Sequence, residues 1–427
     1  MTVKIDYTLY RPYVLVGGEE FLNYLLVNVI PDGGMDGRPA ATMPMAMVPV
    51  IDVSGSMYAE ERLETVQRAA HYLIDQLKPV DTLGLVAFAD RSQVASPLTQ
   101  GANATQLHRA VDSMPELNVG GGTSMAKGFK DALTLLQQPA YREYARRILL
   151  LTDGHTFDEA ECLQLARQAQ AQDIVVSVIG VGSDWNEDFL KQLASIGGGD
   201  WTYIRLQGKP GDPGYVPVDE QIQQCFAKEL SAVQNVTASG LQINLELTPG
   251  VAIRSVKRSN PQIQDLNIQT SDRTVQLPLG PVGRAEDYLM EVVQPPRKPG
   301  LFRVMKVSAT YRSAGNAQPT TVTQDIVVQY TSNPLEANQV NPQVQQRVQE
   351  VGIHQQVEKA TRLLASGDVE KATRLLRNAS NVTQRLGDPG KTRVLNEAIE
   401  QLAGGQISED VKKTIQFGAS QTRKLNE

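Results

Sequence analysis

Apolar and polar residues alternate with a period of two from Thr2 to Ile30. Val3, Ile5, Tyr7 and Leu9 share one face and, past a turn at Gly17-Gly18, Leu25, Val27 and Val29 share the next. This pattern predicts a pair of half-buried strands. Residues 31–42, rich in Gly, Pro and Asp, read as a linker. From Met45 to about Asn235, near-continuous apolar runs alternate with amphipathic stretches, which predicts a parallel sheet covered on both faces. The predicted strands are Met45 to Ile51, Thr82 to Ala89, Arg147 to Leu151, Ile174 to Gly180 and Trp201 to Leu206. The predicted helices are Arg62 to Leu77, Thr105 to Ser113, Met125 to Gln138, Asp158 to Gln170, Glu187 to Ala194 and Asp219 to Val233. Pro49 removes a ladder donor from the first strand and predicts a local irregularity there.

Period two returns after Asn235, at Leu241, Ile243, Leu245 and Leu247 and again at Met305, Val307, Ala309 and Tyr311. Further strands are predicted at Asp265 to Gln269, Thr274 to Leu279, Tyr288 to Val293 and Thr321 to Tyr330. Short strands with Gly/Pro turns predict an antiparallel β-sandwich. An isolated hairpin is marginal in water, so the two amino-terminal strands are expected to complete that sandwich. From Asn341 onward, apolar spacing of three and four predicts helices broken at Gly367-Asp368, Gly387 to Gly390 and Gly404-Gly405. The string Glu-Lys-Ala-Thr-Arg-Leu-Leu occurs at 358–364 and again at 370–376, which predicts a helical hairpin, too short for a repeat array. The expected architecture is a doubly wound Rossmann-like α/β domain (43–235) inserted in an antiparallel β-sandwich (1–42 and 236–333) and followed by a helical bundle (341–427).

Composition narrows the functional classes. Lys and Arg number 41 against 47 Asp and Glu, a formal charge of −6 with pI near 5.5 and no basic run, so nucleic acid is not an expected partner. Cys162 and Cys225 are too few for a disulfide framework, and the four scattered histidines give no zinc spacing. With no signal-like start and no run long enough for a membrane span, the reading is a soluble cytoplasmic protein.

The candidate chemistry lies at three places. Asp52-Val53-Ser54-Gly55-Ser56 follows the first α/β strand, Gly120-Gly121-Gly122-Thr123 precedes a helix, and Asp153-Gly154 ends an apolar strand. All three fall at carboxyl ends of strands or at helix starts, the edge where open α/β sheets take ligands. Asp52, Ser54, Ser56, Thr123 and Asp153 offer oxygen donors only, which suits Mg2+ or Mn2+, with Ca2+ as an alternative. Taken alone, the first fragment also reads as a helix-capping turn. The triple glycine lacks the Gly-Lys-Ser/Thr of a P-loop, and Ser54 has no evident base partner for nucleophilic work. His155 and Asp90 are candidates for the rim. Asp184, Glu187 and Asp188 read as charging a helix start, and Glu60, Glu61 and Glu64 as favouring the first turns after the motif.

Residues 45–233 resemble a von Willebrand factor type A domain, and Asp52, Ser54, Ser56, Thr123 and Asp153 match its metal-ion-dependent adhesion site. Val178 to Gly182 and Ile196 to Gly199 are similar to the family's last strand and helix. The resemblance implies that Ser54, Ser56 and Thr123 touch the ion while Asp52 and Asp153 act directly or through water. It also implies a bacterial intracellular, cation-dependent protein-interaction adaptor, its metal coordinating an Asp or Glu of a protein partner. The alternatives are a metal-dependent hydrolase or phosphatase, with His155 as the candidate base, and an accessory subunit of an AAA+ ATPase or kinase-phosphatase system. The adaptor reading makes the protein no enzyme, and oligomeric state is not readable.

Overall fold

The computed structural model describes residues 3–31, 41–153, 155–182, 185–206, 216–266, 268–316, 318–405 and 407–422, without the side chains of Glu60, Glu61 and Gln269. Most of the expected linker (32–40) lies outside the described residues, as does Asp184. The chain opens with β1 (Val3–Leu9), β2 (Tyr13–Leu15) and β3 (Phe21–Pro31), whose remaining partners come much later in sequence. An α/β unit follows: β4 (Met45–Asp52), α1 (Arg62–Asp75), β5 (Thr82–Phe88), β6 (Ser92–Gln100), α2 (Ala104–Asp112), α3 (Met125–Leu136), β7 (Ala145–Thr152), α4 (Glu159–Gln170), β8 (Ile174–Val181), α5 (Glu187–Gly197), β9 (Gly198–Ile204) and α6 (Val218–Gln234).

Every residue of β4, β5, β7 and β8 is buried, as near-continuous apolar runs require. The sheet order is β6-β5-β4-β7-β8-β9, parallel except for the β5–β6 pair. The sheet is therefore mixed, which corrects the expectation of a parallel one. Strand β6 escapes the apolar pattern because it is an edge: Ser-Gln-Val-Ala-Ser-Pro-Leu-Thr-Gln is polar and holds Pro97, both tolerated only there. Pro49, by contrast, sits in the central strand without a register shift. The β7 ladder runs unbroken from Met45 to Ile51, and the β5 ladder pairs Met47 with Leu83 and Val50 with Val86. The expected irregularity is only a gap in one ladder. One apolar core lies under α1, α2 and α6, and a second under α3, α4 and α5. Helix α3 sits so close that a Cβ on Gly128 would meet Phe88 Cβ and Val50 Cγ1 at 2.9 Å each.

The remaining strands are β10 (Ala238–Leu247), β11 (Ala252–Asn260), β12 (Gln264–Asp265), β13 (Gln269–Ser271), β14 (Thr274–Val282), β15 (Glu286–Gln294), β16 (Gly300–Ser313) and β17 (Thr320–Thr331). They form two sheets with the amino-terminal strands, ordered β1-β3-β15-β11-β12 and β13-β14-β10-β16-β17-β2. The inner faces share one core, with Leu25, Val27, Met290 and Val292 from one sheet and Ile243, Leu245, Met305 and Val307 from the other. Strands from both sides of the α/β unit thus pair with each other. The second sheet is also mixed and not wholly antiparallel, because β2 pairs parallel to β17. The chain leaves the first sheet between β1 and β3 and touches the outer edge of the second, where a three-residue strand can run in either direction. The strand expected over 265–269 divides, its start pairing with β11 and its end with β14.

After the short α7 (Pro334–Ala337) come α8 (Pro342–Ala365), α9 (Val369–Arg385), α10 (Pro389–Ala403) and α11 (Glu409–Ser420). Asn341, Asp368, Asp388 and Ser408 each accept a backbone N–H at the start of these four helices. Val344 and Val351 of α8 pack on Leu26 and Leu289 of the first sheet. The fully buried Arg347 donates to Asp287 of β15 (2.7 Å) and to Glu350 (2.6 Å). At the other end, α11 covers β9: Phe417 meets Trp201 edge-on, and Lys413 lies 3.9 Å from the Trp185 ring centroid. Among the described residues no helix is long and apolar enough to cross a membrane.

Candidate metal centre

In the α/β sheet the chain moves outward from β4 to β5 and β6, then returns to place β7 on the opposite side of β4. The crevice at such a reversal is where open sheets bind ligands, and Asp52 and Asp153 stand at its two lips. Ile51 and Leu151 pair directly, so Asp52 leaves β4 beside Thr152 and Asp153 follows one residue further along the same edge. Asp52 Oδ1 accepts from Ser54 N–H (2.9 Å) and Oδ2 from the Thr152 hydroxyl (2.7 Å). The Ser56 hydroxyl donates to Asp153 Oδ1 at 2.8 Å and lies 3.2 Å from Ser54 Oγ. Four of the five expected residues, Asp52, Ser54, Ser56 and Asp153, are therefore joined in one network.

Thr123 occupies the adjoining loop. Gly55 N–H donates to Gly121 O (3.2 Å), and the Thr123 carbonyl accepts from Thr156 Oγ1 (3.2 Å), so the backbone brings Thr123 to this edge. Among the described residues its hydroxyl makes no bond to the other four. Asp90 is the organiser of that loop. Its Oδ2 accepts from Gly121 N–H (2.9 Å) and Gly122 N–H (3.0 Å), bonds that hold its carboxyl below the usual range. A Cβ at Gly122 would lie 2.2 Å from Asp90 Oδ1, so any other residue there would push the Asp90 carboxylate from its present place. From the other side, Asp158 Oδ2 accepts from Ser124 Oγ (2.6 Å) and Ala126 N–H (3.1 Å), tying the start of α3 to the loop after β7.

The electrostatics are those of a desolvated acidic pair. Asp52 is 0% and Asp153 1% exposed. Burial pushes the Asp52 carboxyl up to about 6, against the pull of Ser54 and Thr152, and the Asp153 charge adds to the rise. Arg62, at the start of α1, donates to Asp153 Oδ2 at 2.7 Å. Among the described residues no three His, Cys, Asp or Glu side chains converge on one point, and the oxygen atoms beside the two carboxylates are the hydroxyls of Ser54, Ser56 and Thr152. Two buried carboxylates interleaved with hydroxyls fit a hard divalent cation.

The other candidates fall elsewhere. His155 is exposed and lines a cleft of about 590 Å³ with Trp185, Glu187, Arg362 and Lys413. Glu187 pairs with Lys191 (2.6 Å), and Asn186 caps α5. Arg62, Thr152 and Asp158 were not anticipated as parts of the site. Asp158 carried a faint signal as a helix start, whereas nothing local marks Arg62 or Thr152. Replacing Asp90 by alanine should remove the bonds to Gly121 and Gly122 and free the glycine loop with the fold intact, read as faster hydrogen exchange at those two amides. Unchanged exchange would show that the loop holds its shape without it.

The family profile of the von Willebrand factor type A domain matches residues 47–206. That of the Sll0103-like, C-terminal alpha-helical domain matches residues 342–425. The uncharacterized protein sll0103 of Synechocystis is 26% identical over 389 residues, 87% of each chain. A solved von Willebrand factor type A structure from Catenulispora acidiphila superposes with a TM-score of 0.82 at 18% identity, covering 98% of this chain and 97% of its own. The ArnB paralog VWA2 from Sulfolobus acidocaldarius gives a TM-score of 0.62 at 16% identity, covering 99% of this chain and all of its own. At these identities the structural likenesses establish the fold alone.

Proposed function

We propose that this chain, which carries a von Willebrand factor type A domain and a carboxy-terminal helical domain, is a cation-dependent protein-interaction adaptor, built as an α/β unit inserted in a β-sandwich. The observation that carries the reading is the hydroxyl bridge from Ser54 through Ser56 to Asp153 across two strands, beside the buried Asp52. Asp52, Ser54, Ser56, Thr123 and Asp153 would hold Mg2+, with Mn2+ or Ca2+ as substitutes. When bound, such an ion supplies directional attraction for an Asp or Glu carboxylate of a protein partner, stronger than an exposed ion pair gives.

The chain's own residues prepare that contact. Thr152 and Ser54 orient Asp52, Ser56 orients Asp153, and Asp90 fixes the loop that carries Thr123. Phe157, 96% exposed, and Tyr58, 51% exposed, stand next to the two acidic segments and offer apolar contact around a bound acid. Calorimetry with Mg2+ tests the site, and affinity purification with Mg2+ or EDTA tests the function. Asp52→Ala should weaken Mg2+ binding at least tenfold and abolish chelator-sensitive capture of a partner. Capture that survives both the substitution and EDTA would overturn the adaptor reading.

A further inference from the structure

The chain's four histidines are scattered in sequence, but the fold brings two of them together. His71 of α1 and His108 of α2 place their Nδ1 atoms 2.7 Å apart, with ring planes within 19° and centroids 5.0 Å apart. The rings therefore meet head to head. His71 Nε2 lies 3.0 Å from Asp112 Oδ1, and His108 Nε2 lies 3.2 Å from Asp75 Oδ1, so each helix supplies the carboxylate behind the other helix's ring. The frame is rigid: Leu107 and Val111 share a buried core with Val66 and Ala70, and Gln67 Nε2 donates to Val111 O (2.8 Å).

A hydrogen-bond inventory shows what this arrangement needs. A carboxylate only accepts, so the His71 Nε2 that bonds Asp112 carries a hydrogen, and the neutral ring then offers a lone pair at Nδ1. That lone pair faces His108 Nδ1 at 2.7 Å, and what belongs between the two nitrogens is a shared proton or a metal ion. An imidazole whose outer nitrogen is held by a carboxylate is also the usual form of a metal-binding histidine.

We propose that His71 and His108 bind a borderline divalent transition-metal ion, such as Zn2+, Ni2+ or Cu2+, through Nδ1, with Asp75 and Asp112 orienting the rings from behind. The ion takes the place of the shared proton, which leaves to solvent. Bonds of about 2.0–2.1 Å in tetrahedral geometry separate two ligand nitrogens by about 3.4 Å. Rotation of the two side chains, 31% and 30% exposed, supplies that widening. Other coordination positions face water, since no third such ligand converges here among the described residues. Imidazole selects these ions over Mg2+ and Ca2+. The pair is also remote from the oxygen-lined edge: His71 lies nine residues beyond Arg62 along α1, roughly 13 Å at helical rise.

The test uses the full chain, cleared with chelator and titrated with ZnCl2 in excess Mg2+, with Asp52→Ala, His71→Ala and His108→Gln alongside. One Zn2+ per chain is expected in the native chain and in Asp52→Ala, and at least tenfold weaker binding in either histidine variant. Cu2+ electron paramagnetic resonance of the native chain should show coupling to two imidazole nitrogens, a readout that does not depend on how the variants fold. No Zn2+ uptake by the native chain would mean that the pair merely shares a proton, and the proposal falls. It falls equally if the histidine variants bind as the native chain does, if Asp52→Ala alone loses Zn2+, or if one nitrogen couples.

Discussion

Alanine at position 200 is expected to destabilise the chain by about 3 kcal/mol, the low end of the range for breaking a buried ion pair. Asp200, in β9 and 1% exposed, accepts from Arg258 Nη2 (2.6 Å) and from Arg284 Nη1 and Nη2 (2.7 and 2.8 Å), with Lys228 Nζ at 3.2 Å. Burial alone would raise its carboxyl, but the charges of Arg284, Arg258 and Lys228 hold it well below the usual range. Because the folded value is depressed, this stabilisation is complete above the unfolded value near pH 4 and is lost as the pH falls from there through the lower folded value. Measurement at neutral pH therefore captures all of it. Removing the carboxylate strands the two guanidinium groups, with Glu286 still beside them (3.1 Å from Arg284, 3.7 Å from Arg258). Lys228, 43% exposed, can turn to water, which keeps the loss at the low end.

The same cluster joins β9 and α6 of the α/β unit to β11 and the β14–β15 turn of the sheets. Limited proteolysis should therefore show the units separating before either melts. Asp200→Asn, which keeps the shape without the charge, should fall between. A loss below about 1 kcal/mol in urea unfolding of Asp200→Ala would show that Glu286 suffices, and that the junction rests on apolar packing.

This junction also shows where the sequence stops being readable. The buried strands β4, β5, β7 and β8 announced themselves because both of their faces are apolar, and the oxygen donors of the candidate centre stood out as hydroxyls and acids at strand ends. Strand β11 left no such signal. Ala-Ile-Arg-Ser-Val-Lys-Arg-Ser-Asn looks like exposed coil, yet Lys257 and Arg258 are 8% and 3% exposed because Asp265 meets the first across the adjoining strand and Asp200 meets the second from 58 residues away. A charge reads as surface until its partner is known, and that partner is a fact of tertiary structure. Arg62 was hidden in the same way, as an ordinary first-turn residue whose acid lies 91 positions away. Gln262 is a further case: its side-chain amide bonds both the N–H and the C=O of Trp201 (3.0 and 2.8 Å), closing the free edge of β9 as a strand would. Neither hydropathy nor propensity marks a glutamine for that task.

Acid should loosen the helical domain, and His354 is the residue that makes it do so. Its side chain on α8 is 6% exposed and lies beside a cavity of about 220 Å³ lined by Lys191, Ser195, Gln264, Asp265 and Glu358. Burial first, then the charges of Lys191, Lys257 and Lys391, push its pKa down to about 3. Glu358 Oε1 stands 3.4 Å from Nε2, but burial raises that carboxyl too, so it discharges early as acid is added. The folded chain thus holds a neutral ring that the unfolded chain protonates near pH 6.5. Its contribution is complete above that value and is lost as the pH falls from about 6.5 toward about 3, amounting to about 2–3 kcal/mol at pH 4.5. Leucine at this position cannot take up a proton. It also removes Nδ1, which is buried without a hydrogen-bond partner among the described residues, so at pH 7.5 the variant should lie within about 1 kcal/mol of the native chain. At pH 4.5 His354→Leu should be the more stable of the two by about 2–3 kcal/mol in its first urea transition. If the two chains lose stability in parallel between pH 7.5 and 4.5, the acid sensitivity belongs to other groups and His354 is only a packing residue.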